Sequence, residues 1–415
     1  MQKHYEKIIC ACCFLIYFLN VGFPSTSFNV YQPYLADLSY VGNTGASVIV
    51  GIRAGVSFFA MFFTALFYKK LDCRIGVFVA SLFTSAGFIL YGLASSFAGF
   101  CLAAIFAGIG YGLGGVVAVT MIINRWVTKN VGAAVGFATL GSGVSSIILP
   151  PIIARIIDSS SLSNAFIFEA SIAVVTSLIL VIFLKNNPKE NSQPVTDCAD
   201  DTDDTQDSKA GEGTNNNTSQ QKEGIPAKQF KLMVFAMALV GCTAIGATNY
   251  FSILLTSEGI DLINAASLVS LLGASLSVSK FVGGIIFDKL GSTKASVILF
   301  TFMIIGIVFC CLSACFTSHV IAALAAICTG AGACIGSIGL SLWSIEISPT
   351  ERFAESVKNL QTSYAFGGFV FMFIPGILKD LCGSYIISYV LLLVITIVSA
   401  CIVIPTLIRK HNRAN

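Results

Sequence analysis

Two basic residues, Arg53 and Lys280, lie inside apolar stretches long enough to cross a membrane. Nearly every other charge sits in a short polar loop or a tail. A cation at bilayer depth costs about 3 kcal/mol or more, and such residues characteristically face a cavity or mark an ion or substrate path. The chemistry open to this pair is capture of an anion. Arginine offers a planar fork that matches a carboxylate in two hydrogen bonds, and lysine offers a compact point charge that can also exchange its proton. Arg53 stands about eight residues into its stretch, roughly 12 Å deep at the rise of a helix. Lys280 stands at a similar depth counted from the opposite side. Either stem could instead snorkel to an interface.

The elements that must position them follow from composition. The chain of 415 residues is 55% hydrophobic and only 11% charged, with a mean hydropathy of +0.84. Soluble domains carry about 25% charged residues. Ile75 to Leu93 and Tyr385 to Leu407 are uncharged runs, and Phe166 to Leu184 carries a single charge, Glu169; about 20 such residues span a bilayer as a helix. A porin-type barrel would show alternating segments of roughly 10 residues instead. The pattern predicts an all-α membrane protein with twelve transmembrane helices, over 8–31, 45–68, 75–95, 99–122, 132–157, 164–184, 230–256, 264–288, 295–315, 319–344, 354–378 and 385–408. With the N-terminus in the cytoplasm, 20 of the 24 Lys and Arg residues fall on the cytoplasmic side; Arg155 and Lys379 fall outside and Arg53 and Lys280 within the membrane. That bias predicts cytoplasmic N- and C-termini.

Residues 185–229 are of a different material: the stretch from Asp197 to Gln221 has almost no apolar side chain. Such a segment buries too little to offset its ordering entropy, so a disordered cytoplasmic linker is expected. It separates a bundle over 1–184 from a bundle over 230–415. The two repeat each other. Ala65–Leu71 corresponds to Gly284–Leu290 (284 − 65 = 219), Pro150 to Pro375 (375 − 150 = 225) and Asn29 to Asn249 (249 − 29 = 220). Paired six-helix halves with a binding site between them near the midplane are a transporter architecture.

Gly284, Asp288, Lys289 and Gly291 after the eighth span resemble the loop signature of the major facilitator superfamily; the copy after the second span is degraded, with Lys69 in place of the acid. Asn124-Arg125-Trp126, Gly132, Gly136, Gly141-Ser142-Gly143 and Pro150-Pro151 are similar to the oxalate:formate antiporter and monocarboxylate transporter group. The resemblance implies the major facilitator fold, two pseudo-symmetric six-helix bundles, and a basic residue in the eighth span eight positions before the loop acid, which is Lys280. It also implies that Asp288 and Lys289 interact with a helix terminus or Arg352, with Glu346 in a similar gating role. Three departures stand out: Gly367 where oxalate carriers have a second cation, Ser25 where proton-linked monocarboxylate carriers have a lysine, and Leu276 where they have an acid. Arg53 would then supply charge from the other half, as cations of the second and eighth spans do in nitrate carriers.

The expected function is secondary active transport of a small organic anion, a monocarboxylate, by alternating access. Arg53 and Lys280 would hold it from opposite halves, with Asn29, Asn249 and Tyr250 as polar contacts. The alternatives are a nitrate-like inorganic anion carrier, an exporter of neutral or cationic amphiphiles, and a non-transporting membrane sensor. No enzyme is expected: His4, His319 and His411 are scattered and no P-loop is present. Fourteen cysteines show no metal spacing, so neither metal nor cofactor is expected. Expected partners are the anion, a coupled ion and the lipid of the plasma membrane, with no nucleic acid. The expected oligomeric state, a monomer, is the superfamily default. Trp126 and Trp343 are placed at the cytoplasmic interface.

Overall fold

The computed structural model describes residues 2–127, 131–184, 225–348 and 352–414. Twelve helices are long and apolar enough to cross a membrane: α1 (Tyr5–Asp37), α2 (Gly42–Lys70), α3 (Cys73–Leu93), α4 (Phe97–Trp126), α5 (Ala134–Ser159), α6 (Leu162–Phe183), α7 (Ala227–Asn249), α8 (Leu262–Phe287), α9 (Lys289–Phe316), α10 (His319–Ser344), α11 (Glu355–Cys382) and α12 (Ile386–Lys410). They match the twelve stretches expected from hydropathy to within a few residues, except at the N-terminal end of α9, the C-terminal end of α1 and the C-terminal end of α7. That end has a physical cause: the helix breaks at Tyr250, and the chain continues as a separate helix, Phe251–Ser257. Helix α7 also begins at Ala227, three residues inside the segment expected to be unstructured. The rest of that segment, 185–224, lies outside the described residues.

Breaks in the inner helices have local causes. In α1 a π turn covers Phe18–Gly22 and a 3-10 turn covers Ser27–Val30. Pro24 and Pro33 lack the N–H that would bond the carbonyls of Asn20 and Asn29, so the ladder loosens at those points. Helix α4 breaks at Gly114–Gly115 and α10 at Cys334. These breaks recur between the halves. The terminal helix Tyr31–Asp37 and the helix Phe251–Ser257 start 220 residues apart (251 − 31), as do Gly114 and Cys334 (334 − 114).

Within the first half α3 packs on α4 and α6, α2 on α4, and α1 on α5; within the second, α7 packs on α11 and α12 and α9 on α10. Across the seam α5 lies against α8 and α2 against α11. The buried apolar residues tell which end of the seam is shut. One continuous cluster, including Phe28, Ile49, Tyr250, Leu254 and Met372, joins both halves. Toward the basic face, which carries the loops after α2 and α8, two clusters stay separate. Ile9, Val77 and Ile122 belong to the first half, and Met233, Leu299 and Leu360 to the second. The halves therefore meet at the end away from the basic face and part toward it.

Helices α8 and α9 run on almost without interruption, and the chain kinks two residues into α9, at Gly291, with φ +76° and ψ 163°. That region of backbone space belongs essentially to glycine. A Cβ there would meet nothing within 4 Å, so the glycine is required for its conformation and not for space. Gly291→Val is expected to cost about 1–3 kcal/mol, read as a lowered thermal unfolding temperature of the purified protein. Gly284→Ala, also in open space but on a helix, is expected to leave it unchanged.

Candidate functional site

Arg53 is 3% exposed, on the face of α2 turned toward the seam. Its backbone is fixed by α4: a Cβ at Gly108 would stand 2.7 Å from the Arg53 carbonyl oxygen, so only a glycine lets the helices come this close. The guanidinium carbon lies 4.6 Å from the centroid of the Phe28 ring. This cation–π contact offsets part of the desolvation, about 2 kcal/mol when buried. Nε and Nη1 are buried without a hydrogen-bond partner. A buried charge left without hydrogen bonds is costly.

A cavity of about 240 Å³ opens in front of it. The first half contributes Ser25, Arg53, Ser57, Phe58 and Tyr111, and the second Asn249, Gln361, Tyr364, Phe369 and Met372. Much of the wall is apolar, with Val21, Ala54, Met61 and Ile245 completing it. Asn249 donates from Nδ2 to the Ile245 carbonyl at 2.8 Å, and its Oδ1 is buried without a partner. Tyr111, Gln361 and Tyr364 escaped the sequence reading, because an isolated polar residue in a helix gives no sign of which face it occupies.

The other expected contacts stand elsewhere. Lys280 is half-buried and lines a separate recess of about 130 Å³ with Gly136, Thr139, Leu140, Ser277 and Phe281. That recess lies where α5 and α8 cross. The crossing is tight: a Cβ at Gly143 would stand 2.3 Å from the Ser277 hydroxyl oxygen, and one at Gly273 2.6 Å from Ser146 Cβ. Both cations are thus at the seam between halves, but in this conformation they do not face one cavity, contrary to the expectation of a shared grip. Tyr250 does not line the cavity; it is 1% exposed, and its hydroxyl donates to the Ser47 hydroxyl at 3.0 Å and also lies against the Met372 carbonyl. Asn29 donates to the Thr248 carbonyl at 2.9 Å, again closing the seam. Both residues serve the shut end because the helix breaks beside them turn their side chains across it.

Among the expected gating residues, Gly284 is half-buried, Lys289 and Arg352 are exposed, and Gly291 makes the kink described above. Asp288 has a helical backbone, and its side chain lies outside the described residues. Glu346 is half-buried with Oε2 lacking a partner. Trp343, one residue from the end of α10, is fully buried, stacks on Phe300 at 6.2 Å and donates to Ser296 at 2.8 Å. Trp126 is buried too, 5.0 Å from the Tyr5 ring.

Two buried polar clusters hold the first half together. Glu169 is fully buried and accepts from the Tyr31 hydroxyl at 2.8 Å. Asn20 donates to Ser81 at 3.1 Å and accepts from Thr84 at 2.7 Å. Among the described residues no group of three or more His, Cys, Asp or Glu is placed to hold a metal ion.

The geometry fits what comparison with known proteins finds. The model of the Major Facilitator Superfamily matches residues 10–357. Monocarboxylate transporter 12 of Mus musculus is 28% identical over 131 residues, 30% of this chain and 27% of that protein. The rat protein of that name is 28% identical over 125 residues, 29% of this chain and 26% of its own length. The chain therefore aligns with only about a quarter of these relatives. Among solved structures, an inward-facing, unoccupied bacterial homolog of the human lysosomal transporter Spinster superposes with a TM-score of 0.73 at 15% identity, over 99% of this chain and 98% of that one. A D-xylose-proton symporter gives 0.73 at 13% identity, over 97% of both chains. Twelve membrane-length helices and a cavity lined from both halves accompany that match, and the chain belongs to the Major Facilitator Superfamily.

Proposed function

We propose that this transporter carries a small organic anion, a monocarboxylate, and that Arg53 is its receptor. The observation that carries the reading is the buried guanidinium with Nε and Nη1 unsatisfied, lining the cavity between the halves. A carboxylate there supplies both the missing charge and the missing acceptors, which are worth about 1.5–3 kcal/mol per charge-assisted hydrogen bond. One cation in the cavity suits one carboxylate. The apolar walls from Val21, Phe58, Met61 and Ile245 suit a carbon body more than a bare inorganic ion. The partial similarity to monocarboxylate transporter 12 points the same way. Among the described residues no carboxylate lines the cavity to attract a cationic amphiphile: Glu169 packs inside the first half against Tyr31.

Lys280 is the second cation of the cycle. It sits where α5 and α8 slide as the halves rock, and it joins the anion's path from the opposite half. The bias of the basic residues supports a cytoplasmic position for that face and both termini, in a plasma membrane, and on that reading the cavity is the one offered to the cytoplasm. Binding favours closure because only a neutralised guanidinium is comfortable in a sealed, dry site.

Two outcomes are expected. In a thermal-shift screen of purified protein against small carboxylates and nitrate, wild type is stabilised by a monocarboxylate, and Arg53→Ala loses that shift, an affinity loss of about 100-fold. Stabilisation of Arg53→Ala equal to wild type would refute the receptor role, and a shift with nitrate alone would move the cargo to inorganic anions. In liposome counterflow, Lys280→Ala is expected to lose transport while keeping the carboxylate-induced shift. Full transport by that variant would remove Lys280 from the path.

A further inference from the structure

Helix α2 begins at Gly42, and its N-cap residue, Val41, makes no side-chain cap. The first amides of a helix have no partner within it and carry the positive end of its dipole. Here the cap comes from the other half of the molecule. Asp380, near the end of α11, accepts from the Thr44 backbone N–H at 3.0 Å and the Thr44 hydroxyl at 2.5 Å through Oδ2, and from Asn43 Nδ2 at 2.9 Å through Oδ1. One turn further in, the buried Ser47 hydroxyl accepts from the Gly376 backbone N–H at 2.8 Å and from the Tyr250 hydroxyl at 3.0 Å. Tyr385 donates to Asn43 Oδ1 at 3.0 Å. Packing brings the strands of this seal together: a Cβ at Gly376 would stand 2.2 Å from the Asn43 carbonyl oxygen, and below it Phe373 and Phe369 lie over Gly51 and Gly55.

We infer that Asp380 is a latch between the halves: by capping α2 in trans it holds the end away from the basic face shut, and the carrier opens to that side only when this carboxylate lets go. Three hydrogen bonds to one ionised group and a helix dipole make this the strongest polar link across the seam described here. They lie at the rim, and Asp380 is exposed, so water can take over each bond as the latch parts. Such a contact can hold a state without trapping the carrier in it. Ser47 and Tyr250 are buried beneath it and lose their partners only after the rim has opened.

The test needs no cargo. Hydrogen–deuterium exchange is compared between wild type, Asp380→Ala and the isosteric Asp380→Asn, all purified intact, with thermal unfolding confirming that each is folded. Loss of charge-assisted bonds is expected to speed exchange about tenfold or more in both 43–50 and 374–382. At the same time 58–66 and 361–366, which flank the cavity toward the basic face, should become more protected as that side closes. Faster exchange confined to 43–46, with 374–382 and the basic-face segments unchanged, would make Asp380 a local cap and overturn the latch. Wild-type exchange throughout in both variants would overturn it as well.

Discussion

A guanidinium held at membrane depth with buried nitrogens unsatisfied is the constraint around which this carrier is organised. Protein interiors pair their charges or leave them out. Arg53 is neither paired nor left out; Phe28 beneath it provides only a partial substitute for water. The balance is tolerable because the cavity in front of it opens toward one face. Sealing that cavity around a bare guanidinium would remove the last hydration available to it. On the proposed reading, charge neutralisation and closure are linked by desolvation, without any lever connecting them.

Close approach of backbones supplies the rest. Where α4 meets α2, and where α5 crosses α8, glycines stand at distances no Cβ would allow. Without a hydrophobic drive between helices in lipid, such contacts and the buried hydroxyl and amide bonds do the joining. The first half shows this in the Asn20–Ser81–Thr84 and Tyr31–Glu169 clusters. The first half is thus tied within itself, and the seam carries one continuous apolar cluster at one end and separate clusters toward the other.

The legible part of this structure was whatever repeats along the chain. Hydropathy set twelve spans, and the 220-residue register recurs in the helix breaks at Tyr31 and Phe251 and at Gly114 and Cys334. The depth of Arg53 was readable because charge is so rare in these spans. What the sequence could not convey was azimuth. Helical position gives the depth of Lys280 but not that it faces α5 and not the cavity. Tyr250 and Asn29 were visible as polar residues in inner helices, yet the breaks beside them direct both to the shut end. Nothing along the chain pairs Asp380 or Glu169 with its partner, because those partners lie more than 100 residues away.

The most direct measurement is a structure of the protein saturated with a bromine-labelled monocarboxylate, with the bromine located by anomalous scattering. The account predicts one bromine peak in the central cavity, with the carboxylate within hydrogen-bonding distance of Arg53 and the carbon body against Phe58 and Met61. A carboxylate bound at Lys280 while Arg53 stays bare, or a cavity left empty at saturating ligand, would contradict it.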